Sequence, residues 1–245
     1  MKVAAIQYKP VREQFDYSWD RLKILIEQAI VQGAQLIVCP EMTLSGYLFK
    51  DAHHVSCVAE LMYGKSYYLL AALAKKHGVM IIQGYPERVD PGIFFNSARV
   101  IGTQGELVYN YRKNLLYSSD TYWAQTGHTP YPLIPTVAGL LTVAICMDLN
   151  DDTLLRFLEQ QKPRIFAFCT NWLQENADMH AYWRMRLHGL PCYFIAANTY
   201  GEEIVPPHLP TRFAGQSVIW SPDGQVLACA SADLDQVLVA EIKDI

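Results

Sequence analysis

The chain has no excess of positive charge, no CxxC pair, no HExxH segment and no apolar run long enough to span a membrane. Each absence removes a class of function. At a net charge of -4 with both signs interspersed, it lacks the Lys and Arg field that displaces counterions from phosphates, so no nucleic-acid partner is expected. The apolar stretch Gly139-Leu140-Leu141-Thr142-Val143-Ala144-Ile145 falls well short of the roughly 20 residues that cross a bilayer, and no membrane partner is expected either. The opening Lys2-Val3-Ala4-Ala5-Ile6-Gln7 is charged too early and is too short for a secretory signal. Six cysteines (Cys39, Cys57, Cys146, Cys169, Cys192 and Cys229) are scattered without metal-ligand spacing. That suits reduced thiols in a cytoplasmic protein better than a disulfide framework or a zinc site, so no metal is expected.

What is present is apolar. Hydrophobic residues make up 51% of the 245 and charged residues 18%, enough for a large core, and no Ser/Gly linker or repeat divides residues 1–245 into more than a single domain. Short β-branched runs alternate with helically spaced segments, the pattern of helices covering sheets. Strands are expected at Val3 to Gln7, Leu36 to Cys39, Val79 to Gly84, Ser97 to Ile101, Leu107 to Tyr111, Leu140 to Ile145, Ile165 to Cys169, Tyr193 to Ala197, Ser217 to Trp220, Val226 to Ala230 and Val237 to Ile242. Helices are expected at Tyr17 to Gln32, Ser66 to His77, Asp152 to Gln161 and Asp178 to His188, three of them followed directly by Gly. Turn signals at Gly102-Thr103-Gln104-Gly105 and Ser221-Pro222-Asp223-Gly224 make the sheets partly antiparallel, and Glu202 to Arg212, with three prolines, reads as a surface loop.

Three reactive groups follow strand-like runs: Glu41 after Leu36 to Cys39, Lys113 after Leu107 to Tyr111, and Cys146 after Leu140 to Ile145. Strand ends are where layered α/β proteins assemble sites from distant parts of the chain. Taken singly, Cys146 reads as a buried core thiol and the two charges as solvated or surface-paired. Cys39, Cys169 and Cys192 keep the structural reading, because no reactive partners accompany them. The aromatic residues Tyr47, Tyr117, Tyr122, Trp123 and Trp172 are divided between lining a pocket and filling the core.

Taken together, Pro40-Glu41-Met42-Thr43-Leu44-Ser45-Gly46-Tyr47, Tyr111-Arg112-Lys113 and Ile145-Cys146-Met147-Asp148 resemble the three signature blocks of the nitrilase, or carbon–nitrogen hydrolase, superfamily. The resemblance runs from Val3 through Asn171-Trp172 and Asn198 to the Ser221 to Gly224 turn. It implies an α/β fold, a four-layer α-β-β-α sandwich with two mixed sheets, in a protein that pairs as a homodimer. It also implies a cofactor-free amidase with Cys146 as nucleophile, Glu41 as general base and acid, and Lys113 with the Met147 backbone N–H at the oxyanion. Many members carry a second glutamate beyond the lysine; this chain offers the shorter Asp120 in that supporting role.

Leu116-Tyr117-Ser118-Ser119-Asp120, Trp123, Cys146 to Asn150 and Asn171-Trp172-Leu173 are most similar to the protein N-terminal amidase branch, which acts on the side-chain amide of a terminal Asn or Gln. This makes Tyr47, Trp123, Asp148, Asn171 and Trp172 candidate substrate-binding residues. The substrate is then a peptide N-terminus or a small-molecule amide, and aliphatic amides, ω-amides and N-carbamoyl compounds stay open. So does a noncatalytic dimeric scaffold of the same fold. An N-terminal substrate brings an α-ammonium that needs an acidic acceptor, for which Asp120, Asp148, Asp151 and Glu175 are the candidates.

Overall fold

The computed structural model describes residues 1–175 and 177–243. Two six-stranded sheets dominate it. The first is built from β1 (Lys2–Gln7), β2 (Leu36–Val38), β3 (Met80–Asp90), β4 (Ile93–Ile101), β5 (Leu107–Arg112) and β14 (Gln236–Glu241), in the order β14-β1-β2-β3-β4-β5. The second uses β6 (Ile134–Thr136), β7 (Gly139–Ile145), β8 (Ile165–Cys169), β9 (Tyr193–Ala197), β12 (Val218–Trp220) and β13 (Val226–Cys229), in the order β13-β12-β9-β8-β7-β6. A separate hairpin pairs β10 (Tyr200–Glu203) with β11 (Thr211–Ala214). Both large sheets are mixed, each with three central strands parallel and antiparallel strands outside them.

Alternation along the strands builds the layers, since successive side chains point to opposite faces. In β1, Val3 and Ala5 face the second sheet and join a core containing Val143, Ile145 and Phe166. Ala4 and Ile6 point the other way, with Ile37 and Ile81, onto α1 (Phe15–Val31) and α3 (Lys65–His77) through Leu22, Ile26, Leu70 and Ala74. On the far side, α4 (Asp152–Gln161) and α5 (Met179–Arg186) cover the second sheet with Leu154, Leu158 and Trp183. The result is the α-β-β-α sandwich. Short α2 (Ala52–Ser56) lies in the connection between β2 and α3.

The expected helices appear within two residues of their bounds, and every expected strand is present. Sequence reading missed β6, β10, β11 and α2, which are only three to five residues long, too short to show a period. The stretch from Glu202 to Arg212 is not all loop, because its ends belong to the β10–β11 hairpin around Pro206, Pro207 and Pro210. No described helix is long and apolar enough to cross a membrane.

Candidate active site

The loop after β2 carries Glu41 into the interior, where it is 1% exposed. Its backbone passes so close to β3 that a Cβ on Gly84 would lie 2.6 Å from the Glu41 Cα. The contact is fastened by Gly84 N–H donating to the Pro40 carbonyl at 3.2 Å and Thr43 N–H donating to the Gly84 carbonyl at 2.9 Å. Glycine is required at 84 because any side chain would push the glutamate off its strand end. Lys113 follows β5, and its backbone N–H donates to the Asn96 carbonyl on β4 at 2.8 Å.

These pieces bring three charges together away from water. The Lys113 ammonium donates to Glu41 Oε1 at 2.8 Å and to Asp120 Oδ2 at 2.6 Å, and all three side chains are buried. Asn96 spans the two carboxylates, its amide donating to Glu41 Oε1 at 2.7 Å and to Asp120 Oδ1 at 3.3 Å. Tyr117 N–H adds a donor to Asp120 at 3.0 Å, and Asn171 N–H reaches Glu41 Oε2 at 2.9 Å. So the shorter Asp120 does reach Lys113, because a 3-10 turn over Asp120–Tyr122 brings its loop in.

Two carboxylates around one buried cation leave a surplus negative charge. Burial pushes the Glu41 carboxyl above its usual range; Lys113 pulls it back, and Asp120 adds to the rise. Burial disfavours the Lys113 ammonium as well, but Asp120 and Glu41 together raise it well above its ordinary value, so the cation persists.

Cys146 stands on the opposite sheet, directly after β7, at a positive φ of 42° that turns its side chain out of the strand. It opens a 3-10 helix, Cys146–Asn150, in whose first turn Met147 N–H lies next along the chain. Burial lifts the thiol well above its usual range, Glu41 contributing to the rise and Lys113 opposing it. A neutral thiol beside a carboxylate of raised affinity for protons is set up for attack coupled to proton transfer rather than for a standing thiolate.

Asp148 has a different place from the one expected. It is fully buried and accepts from Tyr111 Oη at 2.7 Å, Asn114 N–H at 3.0 Å, Leu115 N–H at 2.9 Å and Ile145 N–H at 2.9 Å. Burial still raises it to about 6. With every lone pair engaged, it ties the Lys113 loop to the Cys146 strand end and is not among the residues lining the cavity beside Cys146. Trp123 is corrected too: it packs edge-on against Phe49, centroids 5.3 Å apart, in an apolar cluster with Phe94, Val205 and Phe213.

A cavity of about 350 Å³ opens beside Cys146. Tyr47, Asn171 and Trp172 line it as expected, joined by Tyr117, Met147 and Tyr182, the last bonded to Asn150. Trp172 serves both roles weighed for it, since it also packs at a tilt against Tyr182 and meets Trp183 edge-on. Sequence reading missed Asn96 and Glu203. An Asn inside the apolar run Phe94-Phe95-Asn96-Ser97-Ala98 was a usable signal, because Asn is depleted from strands. Glu203 gave none: only the fold carries it from the proline-rich segment to accept from the backbone N–H groups of Tyr47 and Leu48 and from Arg12.

Comparison with known proteins agrees with this geometry. The carbon-nitrogen hydrolase family profile matches residues 2–244. The chain belongs to the carbon–nitrogen hydrolase family. A nitrilase of Pyrococcus abyssi is 30% identical over 245 residues, covering 99% of this chain and 89% of that one. The protein N-terminal amidase of Saccharomyces cerevisiae is 33% identical over 173 residues, covering 61% of this chain and 38% of that relative. Among solved structures, an amidase from Nesterenkonia sp. superposes with a TM-score of 0.84 at 21% identity, covering 100% of this chain and 90% of that one, and so shares the fold. This carbon–nitrogen hydrolase is therefore an enzyme of the nitrilase superfamily.

Proposed function

We propose that this hydrolase removes ammonia from the side-chain amide of a peptide's terminal Asn or Gln, with Cys146 as nucleophile. The observation that carries the substrate reading is the charge of the cavity wall. Glu175 and Asp178 line it, and no Lys, Arg or His is among its described lining residues. ω-Amides of dicarboxylic acids and N-carbamoyl amino acids bear a carboxylate that such a wall repels, whereas a peptide's free α-ammonium is attracted to it. The local similarity to the yeast N-terminal amidase supports the same reading.

In this mechanism the Cys146 sulfur attacks the carboxamide carbon as its proton passes to Glu41. The oxyanion is held by Lys113 and the Met147 N–H. Glu41 returns the proton to the departing nitrogen, ammonia leaves, and a thioester remains. Water then gives a proton to Glu41 and adds to the thioester carbonyl. Collapse releases the Asp or Glu product, and the proton returns to the Cys146 sulfur. Asn96, Asp120 and Asp148 hold the charged groups in place without touching substrate.

Ammonia release from peptides beginning with free Asn or Gln, from their N-acetyl forms and from small aliphatic amides tests the assignment. Free-amine peptides should be hydrolysed at least about tenfold faster, as expected for losing one charge-assisted contact. Equal rates on free and acetylated peptides, or turnover confined to small uncharged amides, would refute it.

A further inference from the structure

We propose that Glu175 is the acceptor for the substrate's α-ammonium; this rests on the N-terminal reading above. Each of the other acidic candidates already has work. Asp120 is held by Lys113, Asn96 and Tyr117, and Asp148 by four donors. Asp151 caps α4 through Thr153 N–H at 2.8 Å and accepts from Tyr131 Oη at 3.0 Å. Asp178, which also lines the cavity, caps α5 through Ala181 N–H at 3.1 Å. Glu175 lines the cavity and makes no hydrogen bond or ion pair with any described residue.

Asn171 is 3% exposed and lines the same cavity, its Oδ1 shielded from solvent and without a hydrogen-bond partner among the described residues. Its backbone N–H is spent on Glu41, which fixes the residue against the catalytic charges. An ammonium, with three N–H donors and no acceptor, suits a Glu175 carboxylate that lines the same cavity as Cys146. Glu175 also lines an adjoining cavity of about 560 Å³ with Gln174, His180 and Gln216, so a peptide anchored at its first residue has a polar trough in which to continue.

Because Glu175 is exposed before substrate arrives, substitution there should spare the fold, which circular dichroism melts of each variant check. The test is the ratio of kcat/KM on an Asn-initiated peptide with a free amine to that on its N-acetyl form. In Glu175→Gln this ratio should fall about 10- to 100-fold, the range for losing one charge-assisted hydrogen bond. In Glu175→Lys it should fall further, and an N-succinyl peptide, which presents a carboxylate at that place, should become a better substrate than the free amine. A purely structural role predicts no such inversion. If the wild type prefers the free amine and Glu175→Gln keeps the full ratio, the Glu175 assignment is overturned and the N-terminal reading stands. If the wild type shows no preference, the N-terminal reading fails and the Glu175 assignment falls with it.

Discussion

The two large sheets share one pattern of strand directions, yet they present opposite kinds of chemistry at their ends. The first delivers Glu41, Lys113 and Asn96, polar groups whose bonds are mostly made within the protein before any substrate arrives. The second delivers Cys146 and Asn171, which border open space, the Asn171 carbonyl oxygen having no partner among the described residues. Charge is expensive to bury and must be paired beforehand. A neutral thiol and an amide can be left facing a cavity at far smaller cost. The side that stores charge is closed, and the side that meets substrate is open.

The sharpest break in this comparison is on the open side. Cys146→Ala should reduce ammonia release to a trace, since the covalent bond has no other donor, while the thermal midpoint stays within a few degrees because only one small side-chain atom is lost. Retention of appreciable hydrolysis by the purified variant would remove Cys146 as nucleophile.

On the closed side the expected effect is double. Lys113→Ala should lower kcat by about 10²–10³ through loss of an oxyanion donor. It should also destabilise the protein by about 3–5 kcal/mol, because two buried carboxylates lose their cation. In the variant the Glu41 carboxyl, raised by burial and no longer opposed by Lys113, would ionise less readily folded than unfolded. Its penalty is therefore absent at low pH, where both states are protonated, and grows as pH rises from the ordinary glutamate range toward the raised folded one. Melting curves from about pH 5 to 8 should show the gap from wild type widening. A constant gap would mean that the cation does not stabilise the pair.

The smallest effect sharpens the comparison most. In its proposed role as general base, Glu41 must be ionised, so kcat/KM is expected above its pKa and lost as pH falls through it. Burial places that acid limb above the ordinary glutamate range. The Asn96 amide favours ionised Glu41, so Asn96→Ala should move the limb to still higher pH and lower the plateau about tenfold. A variant with a reduced melting temperature but an unmoved limb would make Asn96 a packing residue only.

The strand-end placement of Glu41, Lys113 and Cys146 was legible in the chain because each follows an apolar β-branched run, and such runs are local signals. Asp148 shows where that legibility stops. Two residues from Cys146 and acidic, it reads as a substrate contact, but its direction is set by Tyr111, Asn114 and Leu115, more than thirty positions away in sequence. Trp123 stops at the same limit, since nothing near it in sequence says that Phe49 takes its ring.

Layering, strand alternation and the nearly unbroken apolar runs of the central strands were determined by the sequence itself, because the periods of strand and helix are short-range properties. Pairing was decided only by the tertiary structure. Lys113 and Glu41 are 72 residues apart, Asn171 and Glu41 are 130, and Glu203 and Tyr47 are 156. Contacts at such separations depend on which strands stack against which, and on the close approach at Gly84 that sets Glu41 in place. The same stacking leaves Glu175 at the cavity without a hydrogen-bond or ion-pair partner among the described residues. A side chain is left open or satisfied by what the fold brings beside it, which no local pattern records.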